Sequence, residues 1–239
     1  MNQLNYNLSH QPDMSMLQIK LQQGQHFYAE PSAMVSMDSH ITLKAGLKGG
    51  VLKSIGRALG GESMVVNSFT ATNDEGEVFL APGTMGDIKH YRLEGNGLML
   101  QRGSYLANSE GVEIDGKWDG MRGFFSGEGM VLLKARGTGD LFFNSYGVIL
   151  HHQVDVHNDF IVDTGYIVAF EDSLDYNVTT LPGLSGGSRF KTLLFGGEGL
   201  VCRFKGQGKV WLQTRNVAPF VNWINPFRPV EKTSSGNND

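Results

Sequence analysis

One short motif occurs three times in this chain. Gly61-Glu62-Ser63-Met64-Val65 recurs as Gly127-Glu128-Gly129-Met130-Val131 and as Gly197-Glu198-Gly199-Leu200-Val201, at separations of 66 and 70 residues. Each copy leads to a second apolar run, Glu77-Val78-Phe79-Leu80, Asp140-Leu141-Phe142-Phe143 and Lys209-Val210-Trp211-Leu212. Each is preceded by a matching stretch, Ser32-Ala33-Met34-Val35, Ser104-Tyr105-Leu106-Ala107 and Gly165-Tyr166-Ile167-Val168. Repetition at such a period constrains the fold more than local propensity does, because a unit that cannot close its own hydrophobic face must lean on its neighbours.

The apolar runs are four to eight residues long, rich in Val, Phe, Tyr and Ile, and bounded by glycine, which favours strands over helices. The chain holds 32 glycines in 239 residues, nearly double the usual share, spread between apolar segments and not gathered into a linker. Gly137-Thr138-Gly139 and Gly206-Gln207-Gly208 read as hairpin turns, since glycine reaches positive φ at little cost. The expected fold is a single all-β domain over residues 1–230. It consists of three tandem β repeats (about 25–95, 96–157 and 158–218) around a pseudo-threefold axis, similar to a β-sandwich or double-stranded β-helix, with 231–239 as a disordered tail. Closure of this kind shields sheet edges.

A helix-like stretch near 51–59 interrupts the pattern and places Val51, Leu52, Ile55 and Leu59 on one face. The corresponding loops of the other repeats carry Phe124 and Phe125 beside Arg122, and Leu194 and Phe195 beyond Lys191. A pseudo-threefold would gather these apolar and basic loops at one end, making them candidate interface residues. Phe220, Trp223 and Phe227, set among Pro219, Pro226 and Pro229, suggest an extended segment pinned to this subunit or a neighbour.

Twenty Lys and Arg against 24 Asp and Glu give a net charge of −4, so no long-range field favours nucleic acid. The lone Cys202 excludes an intrachain disulfide and suits a reducing compartment. The first fifteen residues carry no Lys, Arg or apolar run, and no stretch of 18 apolar residues occurs. A cytoplasmic location is the expectation.

Several of these segments, taken in order, resemble a widespread uncharacterised bacterial family related to the yeast altered-inheritance-of-mitochondria protein. The text that carries the likeness includes Gly60-Gly61-Glu62-Ser63, Ala81-Pro82-Gly83, Gly86-Asp87-Ile88, Gly103-Ser104-Tyr105-Leu106-Ala107, Val162-Asp163-Thr164-Gly165-Tyr166-Ile167-Val168-Ala169 and Gly206-Gln207-Gly208-Lys209-Val210-Trp211-Leu212-Gln213-Thr214-Arg215. The resemblance implies a body similar to the trp RNA-binding attenuation protein, assembled as a trimer or larger ring. It supplies no catalytic residues, and fold likeness does not carry RNA binding with it.

Candidate sites are sparse. His151, Asp155, His157 and Asp159 would share one face of an extended strand through Leu150 to Phe160, within reach of a divalent metal, although a solvated strand face is the commoner outcome. Cys202 aligns with Leu132 and Val66 and reads as a small core residue. Glu62, Glu128 and Glu198 read as acceptors for turn amides. No Gly-x-Ser-x-Gly elbow or complete phosphate loop is present. The expectation is therefore a non-enzymatic oligomeric scaffold or binding protein without cofactors, a homo-oligomer (a trimer or a multiple of one) that presents a surface to a protein partner. The alternatives are a small-molecule or metal-binding β-barrel and a peripheral membrane protein.

Overall fold

The computed structural model describes residues 3–47, 65–116, 131–180 and 200–228. The expected helix at 51–59, the interface candidates Val51, Leu52, Ile55, Leu59, Phe124, Phe125, Leu194 and Phe195, and the carboxylates Glu62, Glu128 and Glu198 lie outside these residues. So do Met64 and Met130.

The fold is all-β and antiparallel. Strand β1 (Asn5–Ser9) leads into a first set, β2 (Met16–Leu21), β3 (His26–Ala29), β4 (Met34–Met37), β5 (Ile41–Leu47), β6 (Val65–Ala71) and β7 (Gly76–Leu80). A second set comprises β8 (Ile88–Glu94), β9 (Leu98–Gln101), β10 (Tyr105–Ser109), β11 (Val112–Asp115) and the long β12 (Leu132–Asn144). The third comprises β13 (Ile149–Val154), β14 (Phe160–Asp163), β15 (Ile167–Glu171), β16 (Asp175–Thr180), β17 (Leu200–Lys205) and β18 (Gly208–Gln213).

The ladders of the three sets share one connectivity. In the first set β7 lies between β2 and β4, while β6 lies between β3 and β5. In the third set β18 lies between β13 and β15, while β17 lies between β14 and β16. In the second set β12 fills both central places: its first half pairs with β9 and β11, and its second half with β8 and β10. The third strand of every set carries an irregularity at the same point, between Met34 and Ser36, Tyr105 and Ala107, and Ile167 and Ala169.

Two further ladders join the sets. Strand β10 pairs with β3, and β15 pairs with β9. Alternation drives the individual strands: along β2, Leu17, Ile19 and Leu21 are buried while Lys20 faces out. By contrast, Leu141, Phe142 and Phe143 are all buried, because the second half of β12 is interior on both faces. Three apolar clusters result, and the first two draw in residues from the following set. Leu106, Ala107 and Phe142 complete the first cluster, and Val168, Ala169 and Trp211 complete the second.

The expected hairpins are corrected. Gly137 and Gly139 lie inside continuous β12, where it passes from one pair of neighbours to the other, and Gly206-Gln207 links β17 to β18, which belong to different sheets. Glycine is still needed there, because φ is +107° at Gly137 and +99° at Gly206. The signal for positive φ was sound; a crossing strand, not a chain reversal, uses it. The ladder also corrects the alignment of Cys202 by one residue. Cys202 stands opposite Val162 as Leu133 stands opposite Leu100 and Asn67 opposite Ala29.

A Cβ at residue 137 would overlap the carbonyl oxygen of Gly111, a backbone atom that accepts from the Thr138 N–H at 3.0 Å. Gly137→Ala is therefore expected to lower unfolding free energy by about 2–3 kcal/mol through backbone strain, read from urea denaturation against wild type.

Candidate functional site

The metal candidates do not share a strand face. Strand β13 ends at Val154, and Asp155 turns the chain: its Oδ1 accepts from the backbone N–H groups of His157 at 2.8 Å and Asn158 at 3.1 Å. The His157 hydrogen bond, first among several, holds the Asp155 carboxyl below its ordinary range. Asp159 lies 3.6 Å from Arg203 and 3.5 Å from Lys205, and His152 stacks on Phe160 with ring centroids 3.9 Å apart. Among the described residues no group of three or more His, Cys, Asp or Glu is placed to hold a metal ion. The expected strand through Leu150 to Phe160 fails because the Asp155 carboxylate offers the backbone a local turn instead.

Cys202 is buried in the third cluster, and burial pushes its thiol up to about 12. A thiol in that state is a poor nucleophile near neutrality.

The C-terminal aromatics take a form other than the extended segment expected. Asn216 caps helix α1 (Val217–Ile224), its side chain accepting from the Ala218 N–H at 3.1 Å, and a short 3-10 turn at Asn225–Phe227 follows. Pro219 sits within the first turn, where its missing N–H has no helical partner to lose. No residue of α1 is buried. Trp223 is 65% exposed and Phe227 73% exposed. Phe220, Trp223 and Phe227 form a row with successive centroid separations of 6.1 and 5.9 Å, and Phe220 also meets Tyr146 at 6.0 Å.

The strongest polar constellation was missed by sequence reasoning. Asp140 is fully buried and accepts from the Leu4 backbone N–H at 2.8 Å, with His90 Nε2 at 2.8 Å and Arg92 at 3.0 Å. Its own N–H donates to Ser109 Oγ at 2.8 Å. Burial alone would raise the Asp140 carboxyl, but the bonds from His90, Leu4 and Arg92 outweigh it and hold the group below its ordinary value. Tyr6 packs against His90 and Phe142, so the cluster ties the N-terminal segment to β8, β10 and β12. The available signal was a charged residue heading each of three apolar runs: Glu77, Asp140 and Lys209.

A cleft of about 550 Å³ lies beside this cluster, between the Gln22–Gln25 turn and Glu110. Within it His26 lies 3.6 Å from Glu110. Its polar groups come from two different strand sets, so this arrangement joins the sets as it lines the cleft.

With the geometry in place, comparison with known proteins is informative. The family model for mitochondrial biogenesis AIM24 matches residues 6–215, which span all three strand sets. The chain belongs to this family. An uncharacterised protein of Streptococcus pyogenes serotype M6 is 26% identical over 243 residues, covering 95% of this chain and 92% of the relative. The crystal structure of a Streptococcus pyogenes protein superposes with a TM-score of 0.77 at 26% identity, covering 95% of this chain and 100% of that one. Helix α1 begins just beyond the span that the family model matches. No helix among the described residues is long and apolar enough to cross a membrane.

The sign of the acid response follows from Asp140. A carboxyl held below its unfolded value, near 4, contributes stability in full above that value and loses it as pH falls through the folded value. Asp140→Ala is expected to cost about 3 kcal/mol at neutral pH by stranding the Arg92 and His90 partners. It should also flatten the acid limb of a stability-versus-pH curve measured by thermal melting.

Proposed function

We propose that this member of the family is a non-enzymatic, homo-oligomeric scaffold. The observation that carries the reading is apolar surface without cover. Every residue of β4 is exposed, including Met34, Val35 and Met37, and α1 leaves Val217, Phe220, Val221, Trp223 and Ile224 exposed. Exposed apolar side chains grouped on an edge strand and on one helix are the kind of surface that interaction sites use. The polar chemistry supports the same reading, since Asp140, Asp155 and Asp159 are engaged in holding the backbone or in ion pairs, and Cys202 is buried. Light scattering on the full chain should return a mass that is a multiple of one subunit; a single-subunit mass across the accessible concentration range would overturn the proposal.

A second reading is favoured by α1 itself. Its aromatic row lies between Arg215 and Arg228, the arrangement of a short segment that seats Trp and Phe at a lipid interface beside basic side chains. One helix of this length gives only modest affinity. Trp223→Ser with Phe227→Ser should then abolish co-sedimentation with anionic vesicles while leaving the melting temperature unchanged. Equal pelleting of wild type and variant would dismiss the membrane reading.

A further inference from the structure

The two seams between strand sets match in their ladders and differ in what fills the space beside them. Where β10 seats on β3, Ala107 stands opposite Phe142 on one side and Ala29 on the other; where β15 seats on β9, Ala169 stands opposite Trp211 and Leu100. Counted from these residues, Ser109 and Glu110 take the places of Glu171 and Asp172, and Gln25 and His26 take those of Asn96 and Gly97. The hydrogen bonds agree. Ser109 Oγ accepts from the Asp140 N–H at 2.8 Å where Glu171 accepts from the Lys209 N–H at 2.9 Å. Gln25 accepts from the Gln22 N–H at 2.8 Å where Asn96 accepts from the Glu94 N–H at 2.9 Å.

At the second seam the chain supplies its own filling. The remaining oxygen of Glu171 accepts from the Tyr91 hydroxyl at 3.3 Å, and that hydroxyl accepts from the Asn96 amide at 2.7 Å. Asp172 accepts from the Gly97 N–H at 3.1 Å and pairs with Lys134 at 2.8 Å.

The first seam lacks these partners. Ile19 stands where Tyr91 stands, and Ser109 offers one oxygen in place of a carboxylate. Ser109 is only 6% exposed, and with its oxygen taken by the Asp140 N–H its own O–H has no acceptor among the described residues. The Gln25 amide group has none there either. Arg92 spends Nη1 on Asp140, which leaves the rest of its guanidinium without a hydrogen bond to the described residues. These three donors line the 550 Å³ cleft, and exposed Glu110 stands at its mouth, 3.6 Å from His26.

We propose that this cleft binds a small hydroxy acid of the sugar-acid type, its carboxylate seated where the Glu171 carboxylate sits at the second seam. The guanidinium of Arg92, the Ser109 hydroxyl and the Gln25 amide donate to that carboxylate, and a guanidinium fork suits the two oxygens of such a group. The ligand's hydroxyls donate to Glu110 and bond to the amide of Gln22 at the rim. The volume falls within the range of small-molecule clefts. No Phe, Tyr or Trp side chain lines the cleft, so a neutral sugar finds no ring to stack on. Glu110 and the Asp140 carboxylate behind Arg92 oppose a phosphate dianion by like-charge repulsion. This inference does not depend on the homo-oligomer reading.

The test uses the full chain with glucuronate as the probe and glucose, which lacks the carboxylate, as its control. Glucuronate should raise the wild-type melting temperature and glucose should not. Ser109→Glu rebuilds the filling of the second seam within the cleft, so it should melt no lower than wild type and show no shift with glucuronate. Arg92→Lys keeps a cation beside Asp140 but loses the fork, and isothermal titration calorimetry should show glucuronate bound about tenfold more weakly. No effect of glucuronate on wild type, an equal shift with glucose, or undiminished binding by a folded Ser109→Glu would each overturn the proposal. Should Ser109→Glu fail to fold, Arg92→Lys decides alone, and an unchanged affinity would overturn it.

Discussion

The structure depends on backbone hydrogen bonding between consecutive strand sets. Within one set, the two groups of three strands belong to different sheets, and the inner groups are each only part of a larger sheet. The β10 to β3 and β15 to β9 ladders join groups from successive sets, and the apolar clusters follow, since Leu106 and Val168 reach a core only because their strands are seated on the set before. Local propensity makes the strands, but the seams between sets decide which side chains are buried.

Buried charge is used here as a fastener. Asp140 gathers a backbone amide from Leu4, two basic side chains from β8 and, through its own amide, the hydroxyl of Ser109. A carboxylate so enclosed would be costly alone and is tolerable because its oxygens have partners. The corresponding positions diverge. The Glu77 carboxylate accepts from Gln18 at 2.6 Å, and the Lys209 N–H donates to Glu171 at 2.9 Å. The place is charged in all three strand sets, but different chemistry fills it.

Much of the architecture was legible in the chain, and the failures are instructive. The sequence pattern sets Met34, Leu106 and Ile167 at one place in three strands; all three fall in strands, β4, β10 and β15, but the ladders shift the second by one residue and put Tyr105 level with Met34 and Ile167. The Gly-x-Gly segments were misread because a positive φ serves a crossing strand as readily as a reversal, and only the pairing partners distinguish them. The row from Phe220 to Phe227 was read as extended because three prolines surround it; Pro219 instead sits in a first helical turn, where proline is tolerated. Asp140 escaped notice because its partners come from residues 4, 90, 92 and 109, a convergence that spacing does not reveal. The family relationship was readable from the order of the glycine motifs, and the family match over residues 6–215 agrees with it.

Continuity of β12 gives the three strand sets unequal mechanical roles. In the outer sets the two central strands are joined by loops, residues 72–75 and Gly206-Gln207, so the two sheets can part there by bending a linker. The middle set has no such hinge: one unbroken strand is threaded through both sheets, as an axle passes through two plates. Solvent penetration and slow opening motions should start from the two ends and die out toward residues 132–144, leaving the centre as the rigid reference about which the outer sets breathe.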